Sequence, residues 1–273
     1  MMEQFQKKIE IQGNQFYIGH WDSKNDALMQ GIHKKLELPN WAPWLAADLS
    51  SLQGRAQTFK EGQIVMFDNM GNPAASLSMN RITWDGLADS LPNWDTVAGD
   101  PTTYEKTYDP KGNTLVMMSM NVSEQYQKMG LARNIIQYAQ EVGQNLSIQN
   151  LIGSFRPNKY GHYRADWDMY DLDFETYCHL QQRETGLPLD DWLRSLVRNG
   201  MEYIKVDHTA MTVPLAIDQL EAYMKKYKKD QWKWIDEYTL ECGEVGKFHL
   251  NHPGYPGQAV YIESNMWGIV RSK

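Results

Sequence analysis

Two cysteines in 273 residues, Cys178 and Cys242, are too few for a disulfide scaffold, and neither sits in a metal-type spacing. No apolar run approaches the length needed to span a membrane. The N-terminal MMEQFQKKIEIQ has neither an apolar core region nor a small-residue cleavage site. Positive charge is also short. With 27 Lys and Arg against 34 Asp and Glu, the net charge of −7 argues against nucleic acid as the main partner and favours a neutral or cationic one. G-x-G-x-x-G after a strand, G-x-x-x-x-G-K-[ST] and G-x-S-x-G are all missing, so dinucleotide, nucleotide-triphosphate and serine-nucleophile chemistries find no support. These absences lead us to expect a soluble, unprocessed protein of the cytoplasm with no nucleic-acid or membrane partner.

What is present is ordinary globular composition, 42% hydrophobic and 22% charged, enough to bury a sizeable core. No repeat, low-complexity tract or clear boundary divides the chain. It reads as one enlarged domain over residues 1–273, with a core at about 55–210 and a C-terminal extension at about 210–273. Residues 1–54 suggest a short strand or two, a helix in KNDALMQGIHKKLEL and an aromatic stretch, PNWAPWL. GQIVMFD and PAASLSMNRITWD, joined by NMGN, read as a β-hairpin.

The most informative stretch runs from Asn113 to Val142. Thr114 to Val122 lacks Pro and charge and suits a buried strand. From Leu131 the apolar period becomes helical through Ile135, Ile136, Ala139 and Val142. Between them lie Gln127, Lys128, Met129, Gly130, Leu131 and Ala132. A helix start offers free backbone N–H groups and the positive end of the macrodipole, so a glycine-containing loop there can wrap a phosphate. Gly130 lacks a Cβ, Ala132 is small, and Lys128 and Arg133 add mobile positive charge. Glu124 would repel a diphosphate and is read as facing solvent.

QKMGLA after a strand ending in MNV resembles the acetyl-CoA signature of the GNAT superfamily of N-acetyltransferases, Q/R-x-x-G-x-G/A. Gln127, Gly130 and Ala132 fill its fixed positions. The resemblance implies an α/β (α+β) fold: a mixed, mostly antiparallel sheet flanked by helices, its central strands splayed. In sequence order the hairpin matches the two strands before the cofactor strand, and Asn150 to Phe155 matches the strand that splays from it. The gap would hold the pantetheine arm of acetyl-CoA or another acyl-CoA as co-substrate, with backbone contacts from Met120, Asn121 and Val122. The implied activity is direct N-acyl transfer to a small-molecule or peptide amine. A non-catalytic acyl-CoA sensor or scaffold is the alternative, and homodimerisation is left open.

Proton transfer needs a base near the amine and an acid near the leaving thiolate. Asp85, beyond the third-strand candidate, is the first choice for the base, against a plain turn cap before Gly86. The resemblance places a tyrosine acid after the strand at 150–155. Tyr163 ranks first there, with Tyr160 and Tyr170 in range. Residues 86–113, dense in Gly, Pro, Asp and Thr, read as a lid over the acceptor site or a surface insertion with a short helix. His249 and His252 with Cys242 lack a metal-type spacing, and no metal is expected. His162 and His179 read as surface or satisfied core residues, and Cys178 as part of an ordinary helix. After residue 156 the chain exceeds the compact family pattern. FETYCHLQQRE, LDDWLRSLVR and LAIDQLEAYMKKYKK look helical. MEYIKV, WIDEYTLECG and AVYIESNMWGIV read as strands, with FHLNHPGYPGQ as a turn-rich loop.

Overall fold

The computed structural model describes residues 5–166, 172–227 and 231–271. Contacts divide the chain into two compact units: Met1–Gly153 with Ile269–Lys273, and Ser154–Gly268. Residues 211–268 therefore share a unit with residues 154–210.

In the first unit β1 (Phe5–Ile11) and β2 (Asn14–His20) precede α1 (Asp26–Ile32), a π-helical turn (His33–Glu37), the single turn α2 (Leu38–Asn40) and α3 (Leu49–Thr58). Then follow β3 (Gln63–Asp68), β4 (Pro73–Ile82), α4 (Trp94–Ala98), β5 (Thr114–Val122), α5 (Leu131–Asn145) and β6 (Asn150–Phe155), whose last two residues belong to the second unit. The strands lie in the order β1-β2-β3-β4-β5-β6. Every pairing is antiparallel except β5 with β6, which is parallel, with α5 as the crossover that such a pair requires.

Side-chain alternation explains which layer covers which face. On β4, Leu77 and Met79 point one way and Ser76, Ser78 and Asn80 the other, all of them buried. Val65, the cross-strand neighbour of Ser76, clusters with Trp21, Met29, Ile32, Leu52, Ala56 and Phe67. The helices α1 and α3 therefore cover the serine-bearing face. The helix α5 packs on β3, β4 and β5 through the buried Leu131, Ile135, Ile136, Ala139 and Val142, the stripe expected from its period.

Residues 86–113 contain the short helix α4 and pack several side chains inward. Leu91, Trp94, Val97 and Ala98 are buried, and Tyr104 is fully buried with its hydroxyl 2.7 Å from Ser78 Oγ. Asn80 Nδ2 donates to Val97 O at 2.9 Å, and the Arg55 guanidinium lies 5.0 Å from the Tyr104 ring centroid. Buried polar groups need partners, so the serine face and its cover satisfy each other.

The second unit contains α6 (Tyr160–Asp166), α7 (Phe174–His179), α8 (Asp191–Arg198), β7 (Met201–Ala216), α9 (Ile217–Lys226), β8 (Lys233–Trp234), β9 (Thr239–Glu241), β10 (Lys247–His249) and β11 (Gln258–Val270), whose last two residues belong to the first unit. The strands β11, β10, β9 and β8 form an antiparallel meander, and β7 also pairs with β11. MEYIKV is only the start of the long β7, and the expected loop FHLNHPGYPGQ begins within β10, taking in its Phe248 and His249. No helix among the described residues is long and apolar enough to cross a membrane.

A buried charge network lies within this unit. Arg156 Nε donates to both oxygens of the fully buried Glu263 at 2.9 Å, and its Nη2 contacts Glu244. Tyr261 donates to Glu263 Oε2 at 2.5 Å and accepts the Gly246 N–H at 2.9 Å. Burial raises the Glu263 carboxyl above its ordinary value, against the pull of Arg156. Removing one member of a buried pair leaves its partner an uncompensated charge. Arg156→Ala is expected to cost about 3–5 kcal/mol in denaturant unfolding, and a loss under about 1 kcal/mol would refute a buried pair.

Candidate functional site: the edge of β5 and the loop after it

β5 is paired unequally on its two sides. With β4 it pairs from Thr114 to Val122, interrupted by a bulge at Met118, whereas its parallel ladder with β6 runs only from Thr114–Asn150 to Met117–Gly153. Beyond Met117 the β6-facing edge carries no rung of that ladder. The Met118 carbonyl at the bulge accepts the Trp94 indole N–H at 2.9 Å.

The chain leaves β5 through a tightly bonded turn. Ser123 N donates to Ala74 O at 2.9 Å and Tyr126 N to Ser123 O at 2.8 Å. The Tyr126 hydroxyl reaches Asp68 Oδ2 at 3.0 Å, while Asp68 Oδ1 accepts the N–H groups of Met70 and Asn72 at 2.9 and 2.8 Å. Burial pushes the Asp68 carboxyl up, but the bonds from Asn72, Tyr126 and Met70 outweigh it and hold the group below the usual carboxylate value. The turn is thus tethered to the β3–β4 hairpin. Gln127 Nε2 lies 3.4 Å from Val122 O, so this side chain caps the strand end.

Lys128 and Gly130 then take positive φ, +64° and +95°, and Gly130 is the N-cap of α5, with no side chain supplying a cap bond. A Cβ on Gly130 would meet nothing within 4 Å, so glycine serves here for its backbone conformation and its open outer side. Asn134 donates back to Gly130 O from its backbone N at 3.3 Å and from Nδ2 at 3.0 Å. Among the described residues, no protein acceptor receives the backbone N–H groups of Gly130, Leu131, Ala132 and Arg133. Lys128, Arg133 and Glu124 are exposed. Four adjacent free donors at the positive end of a 15-residue helix, beside two cationic side chains, fit a diphosphate.

Of the strand residues named from sequence, Met120 and Val122 are partly exposed and Asn121 is buried. Asn121 Nδ2 donates to Glu37 Oε2 at 2.8 Å, and its Oδ1 accepts the Trp41 indole N–H at 2.7 Å. Glu37 Oε1 accepts the Ala47 N–H at 2.8 Å. Burial raises the Glu37 carboxyl, opposed by the Ala47 N–H, Arg55, Asn121 and His33. Sequence reasoning missed this cluster. PNWAPWL was visible as an aromatic stretch, but nothing in it announced that Glu37 turns inward.

The two proton-transfer candidates lie in different units. Asp85 is exposed, and its Oδ1 accepts the Leu87 N–H at 2.9 Å and the Ser90 hydroxyl at 2.5 Å, bonds that hold its carboxyl below the ordinary value. Tyr163 is half-buried on α6, its ring centroid 5.5 Å from that of Tyr177. Tyr160 is buried and donates to Leu172 O at 3.0 Å, and Tyr170 lies outside the described residues. Both cysteines are buried and free. Burial raises the Cys178 thiol and pushes Cys242 up to about 12, which leaves little thiolate. Among the described residues no three His, Cys, Asp or Glu side chains converge as metal ligands would.

No family model and no curated protein matches the sequence. Solved structures do match the fold. The GNAT-like decarboxylase GphF in complex with isobutyryl-CoA aligns with a TM-score of 0.59 at 16% identity, over 93% of this chain and 97% of that one. The loading GNATL domain of CurA from Lyngbya majuscula aligns with a TM-score of 0.56 at 18% identity, over 70% of this chain and 86% of that one. This chain has the GNAT fold, a largely antiparallel mixed sheet flanked by helices.

Two outcomes follow for the loop. Gly130→Ala forces a side chain into left-handed backbone and is expected to lower unfolding free energy by about 1–2 kcal/mol, and an unchanged melting curve would contradict the φ of +95°. The lowered carboxyl of Asp68 stabilises the fold fully above the unfolded-state value, and that contribution is lost as pH falls through the folded one. Asp68→Asn should therefore cost about 1 kcal/mol at neutral pH, a figure reduced for solvent screening at the hairpin end, and should flatten the loss of stability on acidification. Parallel stability curves for the two proteins from neutral pH down to about pH 2 would refute the assignment.

Proposed function

We propose that this protein binds acyl-CoA along β5 and transfers the acyl group directly to an amine. The observation that carries the reading is the set of four free N–H groups from Gly130 to Arg133, placed directly after a strand whose parallel ladder stops at Met117. The donors would hold the diphosphate, with Gln127 fixing the turn and Lys128 and Arg133 adding charge. Met129, Leu131 and Ala132 complete the loop. The open edge at Met120, Asn121 and Val122 would pair with the pantetheine amides as a further strand would. In the transfer, the amine nitrogen attacks the thioester carbonyl, the C–S bond breaks, and CoA departs as a thiolate that takes up a proton. The acceptor's proton passes to a base. Asp85 and Tyr163 are the candidates for base and acid, and the hydrogen bonds on Asp85 support a turn cap at least as well. A small-molecule or peptide amine, acetyl-CoA among the donors and a cytoplasmic setting belong to the same proposal.

A second reading is supported by the match, over nearly the whole chain, to a structure described as a GNAT-like decarboxylase. In that chemistry a carboxylated acyl-CoA loses CO₂, the electron pair moves toward the thioester carbonyl, and the α-carbon takes up a proton. No amine takes part and no free CoA appears.

One experiment separates the readings. Purified protein is given acetyl-CoA with a panel of amines, and separately malonyl-CoA or methylmalonyl-CoA alone. Free thiol and the mass of the acyl-CoA are followed. Amine-dependent thiol release supports transfer, and loss of CO₂ with the thioester intact supports decarboxylation. Calorimetric CoA binding without either product returns the protein to the class of acyl-CoA sensors or scaffolds. If transfer is found, Tyr163→Phe should lower turnover by about 10²-fold or more while leaving CoA affinity in place. Gly130→Ala should weaken CoA binding about tenfold, and unchanged affinity in that variant would refute the cradle.

A further inference from the structure

The residue that most needs an explanation is Glu37. A carboxylate shut away from water is costly, and replacing such a group with a well-packed apolar side chain is often neutral or stabilising. A leucine would fill a helix-to-sheet contact without that cost. Glu37 also comes from an unusual piece of backbone. After α1 the chain widens into the π-helical turn His33–Glu37, in which the Leu38 N–H reaches back five residues to His33 O. Such turns often mark functional positions, because the added residue re-aims a side chain.

Here the re-aimed side chain meets Asn121, and the pattern of donors is complementary throughout. Glu37 offers two acceptors, one to Ala47 N–H at 2.8 Å and one to Asn121 Nδ2 at 2.8 Å, and Asn121 Oδ1 takes the Trp41 indole at 2.7 Å. The π-helical turn, the segment from Trp41 to Ala47 and β5 are thereby joined at one amide. The joint falls in the stretch of β5 from Met118 to Val122, which β4 holds while the ladder to β6 has ended. A strand held on one edge frays more readily than one held on both, and a fraying strand makes a poor template for an incoming amide-bearing chain.

We propose that Glu37 is a positioning residue that, by clasping Asn121 together with Trp41, keeps the open edge of β5 from Met120 to Val122 ordered for the pantetheine arm of acyl-CoA. This rests on the acyl-CoA reading above. Glu37 touches none of the reacting atoms and acts through Asn121.

The donor pattern supplies a stringent test. In Glu37→Gln the new amide adds an N–H that sets one donor against another, so one of the three bonds, to Ala47, between residues 37 and 121, or to Trp41, is lost however the two amides turn. In the double variant Glu37→Gln with Asn121→Asp, the glutamine oxygen keeps Ala47, the glutamine nitrogen donates to the aspartate, and the aspartate's other oxygen keeps Trp41. All three bonds return with the carboxylate moved from the π-helical turn to β5. CoA affinity is measured by calorimetry, and hydrogen exchange over Met120 to Val122 is measured without ligand, for wild type and both variants. Glu37→Gln should speed exchange at these amides and weaken CoA binding about tenfold or more, and the swapped pair should restore both. If Glu37→Gln fails to fold, Trp41→Phe, which removes the indole donor together with part of the ring but leaves the Glu37 bonds to Ala47 and Asn121, should shift both readouts in the same direction by less. Wild-type exchange and affinity in folded Glu37→Gln, or a swapped pair that restores neither, would overturn the clasp. Wild type that binds no CoA would instead sink the acyl-CoA reading on which the clasp depends.

Discussion

The first unit is arranged around a mismatch in β5: paired with β4 along its length, it is paired with β6 for four residues only. A backbone edge without a partner must find one, in water or in a ligand. What surrounds β5 manages this condition. The bulge carbonyl of Met118 is taken by Trp94, the strand end by Gln127, and the turn that follows is tied down at Asp68. From Met118 to Val122 the strand is held by β4, the ladder to β6 having ended at Met117.

Where local pattern and tertiary role agree, the sequence was readable. β5, the start of α5 and β6 follow from an uncharged run, a 3.6-residue period and a second apolar run, because β5 is buried on both faces from Thr114 to Met118 and α5 on one face. Gly130 was legible for a related reason, since a backbone with φ of +95° favours the one residue that carries no side chain there. The extent of β7 was not legible. Pro214 and the charged residues of Met201–Ala216 weaken any strand pattern, and its pairing with the distant β11 decides its length.

The Glu37–Asn121–Trp41 cluster lay beyond reach because it joins residues up to 84 positions apart through a π-helical turn that has no compositional signature. Glu37 looks like one more charged residue in HKKLE, a run that a helical reading places in water. Asp85 carried two readings from sequence, a base and a turn cap before Gly86, and in the structure its carboxylate accepts the Leu87 N–H and the Ser90 hydroxyl of the local turn. Short polar side chains near Gly are more often spent on local backbone than on chemistry.

The serines and the asparagine on one face of β4 have a consequence for how such a chain can diverge. Ser76, Ser78 and Asn80 are covered by segments held through directional bonds, as with Tyr104 on Ser78 and Val97 on Asn80. A shortened or reshaped cover would uncover hydroxyls and an amide on that strand, groups that water can solvate, where a leucine-lined strand would present a sticky surface. Insertions and deletions between Gly86 and Asn113 therefore carry a smaller aggregation risk than the same changes over an apolar face. The cover can drift in length while the strand beneath it stays the same.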